Sequence, residues 1–216
     1  MEVTVYDHQG VNKKINIFDA NITFVPLEEV REKFSSGIVT PLAFSCVEGK
    51  ERKKYEKLGH KSDFESHSAT IHIPDLTIDD MIEIFQCDAV GSYEITKEMI
   101  APYLQDDIPE NVIFVCFLFL HEVGHWMQFK ELGCNVQKYT ERYVELYRAN
   151  HEKGNQIWAS RDERMKRGIT CLLTAREREA LIQCQNEYRQ IPSEKDADEF
   201  AIQHLLQILD VYRKSI

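Results

Sequence analysis

Between Asp107 and Gly133 the chain has little freedom in how it folds. Asp107-Ile108-Pro109-Glu110 reads as a helix start, with a capping side chain, a proline in the first turn and a glutamate three residues after the cap. Val112 to Leu120 is then an unbroken apolar run, and Gly133 supplies the left-handed residue that ends a helix. A helix that is apolar on nearly all sides has to be surrounded by protein, so this one is expected inside the core. The run is about half of what a membrane span requires. It leads directly into His121-Glu122-Val123-Gly124-His125.

On a helix, residues four apart point the same way, one turn above the other. His121 and His125 can therefore offer two imidazole nitrogens to one tetrahedral Zn²⁺. Glu122 falls on nearly the same side, within reach of a zinc-bound water without being a ligand. That is the chemistry of metal-assisted peptide hydrolysis. At average composition, roughly one chain in a hundred of this length carries such a pentapeptide by accident, so the remaining residues have to decide.

A catalytic zinc takes three protein ligands and keeps one open position. The metzincin continuation would place Gly and His three and six residues after His125, where Gln128 and Glu131 stand, so it is excluded. Pro192-Ser193 precedes a helix expected from Glu194 to about Tyr212, with Ser193 as its cap and Asp196 completing the box. Glu194 and Asp198 lie at i and i+4 on one face of it. Glu194 can coordinate zinc, and Asp198 can accept the second ring N–H of a ligating histidine. The plainer reading makes Glu194 a favourable charge in a first helical turn.

An H-E-x-x-H helix followed by a helix with Glu and Asp four apart resembles the gluzincin branch of the zincin metallopeptidases. Glu194-Lys195-Asp196-Ala197-Asp198-Glu199-Phe200-Ala201 is similar to the E-x-x-A-[ND]-x-F-A signature of the ImmA/IrrE-type family. Those are intracellular bacterial and mobile-element proteins, some of which cleave repressors or related regulators. The resemblance implies His121, His125 and Glu194 as zinc ligands, Glu122 as general base and Asp198 as support behind a ligand. It extends over the two helices and at most to the strand before them. The fold it implies is α+β and zincin-like: a small N-terminal mixed sheet with an edge strand packed on the buried helix, a C-terminal ligand-bearing helix, and a helical insertion between. As domains this reads as one unit over 1–216, with an α/β part to 105, the catalytic helix over 106–133, the insertion over 134–191 and the third-ligand helix over 192–216.

The rest of the chain fits a globular protein. It has 216 residues, 43% of them hydrophobic, no repeat and no basic-then-apolar start of a secretory signal. Six cysteines without C-x-x-C spacing read as reduced thiols, so a cytoplasmic location is expected. A net charge of −10 argues against nucleic-acid binding, and nothing calls for a membrane. Asp75 to Glu110 holds ten acidic residues and one basic one, a field that would bias a cleft towards basic or polar segments of a substrate. The charged clusters 50–61 and 161–178 read as solvated faces.

Local patterns complete the reading. Val3–Tyr6 and Ile15–Phe18 form a candidate hairpin, Ile22–Val25 a strand, and Leu27–Phe34 an amphipathic stretch. Ala69–Ile73 alternates and stops at Pro74, as an edge strand along which a peptide substrate could add. Caps are expected at Thr77, Thr96 and Thr174, and a break at Gly154-Asn155. Tyr139, Tyr143, Tyr188 and His204 are candidate donors to a developing oxyanion, although such tyrosines more often pack a core. His204 lies nearly three turns beyond Glu194.

Three functions are thus in play. The first is a zinc endopeptidase acting on an intracellular protein or peptide, such as a regulator. The second is a catalytically silent zincin-fold module that holds a partner through its helical insertion. The third is a helical structural protein with an accidental motif. Oligomeric state is not legible.

Overall fold

A computed structural model describes residues 2–6, 12–16, 20, 22–25, 42–45, 69–86, 91–169 and 172–214. The strands are β1 (Glu2–Tyr6), β2 (Asn12–Asn16), β3 (Ile22–Val25), β4 (Ala43–Ser45) and β5 (Thr70–Pro74). The helices are α1 (Ile78–Gln86), α2 (Ser92–Ile100), α3 (Glu110–Glu131), α4 (Val136–Tyr139), α5 (Glu145–Lys166), α6 (Ala175–Arg189) and α7 (Pro192–Arg213). A π turn, Thr140–Val144, joins α4 to α5.

Most of the described residues are helical, which overturns the α+β expectation. The strands are three to five residues long and form only a two-stranded ribbon, β1–β2, and a three-stranded set, β3-β5-β4. Short alternating segments had suggested a sheet layer, but strands of this length cannot cover a 22-residue helix. The core is instead built helix on helix, with Ile71 of β5 joining it from one side. β1 pairs antiparallel with β2, Glu2 opposite Asn16 and Tyr6 opposite Asn12, so the second strand starts three residues earlier than expected. β5 lies between parallel β3 and antiparallel β4. Both its edges are taken, so the expectation that a substrate adds along Ala69–Ile73 is withdrawn. The stretches 27–34 and 48–61 lie outside the described residues.

α3 runs through the middle as expected. Ile113, Phe114, Phe117, Leu120 and Val123 are almost wholly enclosed. By length and composition it could cross a membrane, but 72% of its apolar window is buried against this chain. Its C-terminus is closed by Gly133 at φ 72°, whose N–H donates to the Lys130 carbonyl. Its N-terminus departs from the expectation. Pro109 holds the cap position with no capping side chain, and Asp107 receives Arg213 from the far end of α7 at 2.8 Å.

That pairing shows how α3 and α7 lie: antiparallel, Asp107 beside Arg213 at one end and Gln128 beside Ser193 at the other. Ala197, Ala201, Leu205 and Leu209 recur every four residues and form the buried ridge of α7. The two helices come close at Gly124. A Cβ there would sit 2.8 Å from Ala197 Cα and 3.1 Å from Ala197 Cβ. The first contact is backbone, so α7 would have to move. We expect Gly124→Ala to destabilise by about 1–2 kcal/mol, overpacking exceeding the gain in helix propensity. Ala197→Gly in the same chain should recover part of the loss; strictly additive urea midpoints in the double-mutant cycle would contradict the contact.

The caps at Thr77 and Thr174 form as expected, the latter as a full box with Glu177. Two others do not. α2 starts after Gly91, leaving Thr96 buried in mid-helix, and α5 runs unbroken through Gly154 and Asn155. A helix held by neighbours tolerates the roughly 1 kcal/mol that an interior glycine costs.

Candidate metal centre

His121, His125 and Glu194 meet where α3 crosses α7, and all three are buried. The two Nε2 atoms are 3.1 Å apart. Glu194 Oε2 is 3.2 Å from His121 Nε2, and Oε1 is 3.1 Å from His125 Nε2. Donors sharing one tetrahedral cation with bonds of about 2.0–2.1 Å stand about 3.3 Å apart, so the set has the spacing of a metal site.

The outer ring nitrogens explain why the inner ones converge. His121 Nδ1 faces Asp198 Oδ1 at 2.8 Å, as the spacing on α7 led us to expect. His125 Nδ1 faces Gln128 Oε1 at 3.1 Å. The Gln128 amide cannot be reversed, because its Nε2 donates to the Ser193 carbonyl at 2.7 Å. With both Nδ1–H groups so engaged, each neutral ring turns an Nε2 lone pair inwards. Two lone pairs and a carboxylate this close repel one another unless a cation or proton lies between them. Apart from the His121 ring nitrogen at 3.2 Å, Glu194 Oε2 has no hydrogen-bond partner among the described residues. An acceptor buried in this way fits a metal ligand.

Without metal, a proton takes that place. Burial disfavours the His121 imidazolium, but hydrogen bonds to Asp198 and Glu194 and the charge of Glu122 outweigh it and hold the pKa up at about 9. Burial opposes ionisation of Glu194 too, yet the charge of His125 and the hydrogen bonds from both histidines hold its carboxyl far below the usual range. At neutral pH a metal must displace the His121 proton. Metal affinity should therefore rise about tenfold per pH unit from pH 7 and level off near 9. The metal-free fold should behave oppositely. The His121 contribution to stability is fully present below about 6.5, the unfolded value, and is lost as pH rises through 9. Calorimetric titration with Zn²⁺ in buffers of different ionisation enthalpy measures the released proton; no proton release at pH 7 would contradict this.

Glu122 is half-buried beside the centre, and its charge acts on His121, Tyr147 and Tyr188. Tyr188 faces Glu194; burial first, and that carboxylate next, push its phenol well above the usual tyrosine value. The other candidates from sequence lie elsewhere. Tyr139 and Tyr143 meet edge to face at 4.9 Å, Tyr139 meets Phe129 in the same way, and His204 packs tilted against Phe200. Ser193 does not cap α7: Ile191 holds that position, and the Ser193 hydroxyl meets the Tyr147 hydroxyl at 2.8 Å.

Three residues of the site escaped sequence reading. Gln128 had served only to reject a motif, although its place one turn after His125 marks it as that ring's neighbour. Tyr147 follows Tyr139 and Tyr143 at helical spacing, a pattern that reads as packing, yet its hydroxyl donates to Glu194 Oε1 at 2.7 Å. Arg189 carried no signal, and its Nη1 donates to Asp198 Oδ1 at 2.8 Å. No protein-family model matches the chain, no curated protein matches it in sequence, and no solved structure matches its fold.

Proposed function

We infer that this chain is a zinc-dependent endopeptidase, with His121, His125 and Glu194 holding the zinc and Glu122 as general base. One observation carries the reading: two imidazole nitrogens and a carboxylate converge at 3.1–3.2 Å, with the base adjoining them in sequence. The nitrogen–nitrogen–oxygen donor set suits zinc, and the resemblance of the two helices to gluzincins points the same way. When bound, zinc would supply Lewis acidity towards a water and a peptide carbonyl. The remaining work falls to the chain's own residues. Glu122 takes the proton of the attacking water and delivers it to the departing amine. Asp198 and Gln128 fix the tautomers of the ligand rings, so the site needs little reorganisation. The substrate would be a protein segment, met in the cytoplasm if the cysteines are reduced.

A second reading, a silent module holding a partner, draws support from the α5–α6 turn. Met165, Ile169 and Leu172 there are 47%, 64% and 71% exposed. The deciding experiment incubates the zinc-loaded chain with a library of peptides and unfolded proteins. Cleavage that chelation removes and zinc restores supports the first reading, and zinc binding with no cleavage anywhere supports the second.

A further inference from the structure

Residues 134–191 separate the two ligand-bearing helices in sequence, yet they also supply the site's outer support. α5 and α6 form an antiparallel hairpin, tied by Asn150 to the Cys184 carbonyl at 2.8 Å, by Lys153 to Glu187 and by Arg164 to Glu177. Near its base Tyr147 and Tyr188 stack at 5.7 Å. Both helices of the hairpin send polar side chains inwards, Tyr188 of α6 facing Glu194 among them. From α5, Tyr147 donates to the ligand carboxylate of Glu194. From α6, Arg189 spreads its guanidinium over two other helices, Nη1 to Asp198 on α7 at 2.8 Å and Nη2 to Thr96 on α2 at 3.3 Å.

The atoms reached are the ones that matter to the ligands. Arg189 and His121 Nδ1 share the same oxygen of Asp198. Tyr147 takes Oε1 of Glu194 and thereby sets the carboxylate plane, leaving Oε2 turned towards His121. Two of the three candidate ligands are thus oriented by the hairpin, Glu194 directly and His121 through Asp198. The charge of Arg189 also keeps Asp198, 6% exposed, from being an uncompensated buried anion.

We propose that the α5–α6 hairpin is a clamp on the metal centre, with Tyr147 and Arg189 as positioning residues, so that hairpin docking and metal binding are one linked equilibrium. This rests on the metal-centre reading above but not on peptide cleavage. Linkage is reciprocal. A docked hairpin that orients ligands raises metal affinity, and a bound metal holds the hairpin down by the same factor. Whatever draws the hairpin away loosens the metal.

The test uses Zn²⁺ and the full chain. Competition with a chromophoric chelator should show Tyr147→Phe binding zinc about tenfold more weakly and Arg189→Ala about 10–100-fold more weakly, the range for supporting partners of metal ligands. Tyr147→Phe keeps the ring and its stacking, so it separates the hydroxyl's role from packing. Arg189→Lys can reach Asp198 but not Thr96 as well, and should restore part of the affinity. Hydrogen exchange gives a readout that a purely structural role would not move: zinc should slow amides of 145–166 and 175–189 as well as those around 121–125. Wild-type affinity in Tyr147→Phe and Arg189→Lys, with zinc protection confined to α3 and α7, overturns the clamp alone. A wild-type chain that takes up no zinc overturns both the clamp and the metal centre.

Discussion

Glu122→Gln keeps its metal and loses peptide hydrolysis, with kcat down by about 10²–10⁴-fold, the range for a positioned general base. The carboxamide has the shape of the carboxylate, so the neighbours of residue 122 on α3 remain packed as they are. It cannot accept a proton near neutral pH, and the attacking water then has no base. Glu122 is not among the three converging donors, so metal content measured on the purified variant should equal that of wild type. Full cleavage by Glu122→Gln would remove this residue from the mechanism. Loss of metal would instead make it a ligand or an essential support.

Glu194→Ala should release the metal, weakening affinity by about 10²–10³-fold. Structural zinc in small peptides is bound by about 10–16 kcal/mol, so one ligand of three or four accounts for several kcal/mol, each 1.4 of which is tenfold in affinity. Glu194 is 1% exposed and carries the only charge among the three donors when the histidines are neutral. Its removal also deprives the Tyr147 hydroxyl of an acceptor. Glu194→Gln makes the test sharper, because it preserves volume and leaves a carbonyl oxygen but removes the charge. It should still bind metal far more weakly than wild type. Retention of full zinc by Glu194→Ala would sink the ligand assignment.

Much of the candidate site was legible because its first layer is local. The two histidines share a face by helical periodicity, and Glu194 and Asp198 share one for the same reason. Asp198 could be read as a histidine partner from its spacing alone. The supports from elsewhere could not be read. Tyr147 lies 47 residues from Glu194, and Arg189 is placed on Asp198 by the turn between α6 and α7. Caps showed the same limit. Thr77 and Thr174 cap because nothing else competes for them, whereas Asp107 and Ser193 were claimed by Arg213 and Tyr147. The α+β expectation failed for a related reason, since alternation reports which segments can be extended and not whether they join into a layer large enough to cover the helices.

The pattern of residues along two helices was enough to settle which side chains could face a metal, because a helix turns its residues by a constant angle whatever surrounds it. It also settled that the first of those helices would be enclosed, since nine apolar residues in succession leave no wet face. Only the tertiary structure decided that the two helices run antiparallel with Gly124 against Ala197, which brings three donors to within 3.2 Å. It alone turned the intervening segment from an insertion into part of the centre. Contacts between residues tens of positions apart depend on how four helices pack against one another, and no periodicity along the chain encodes that.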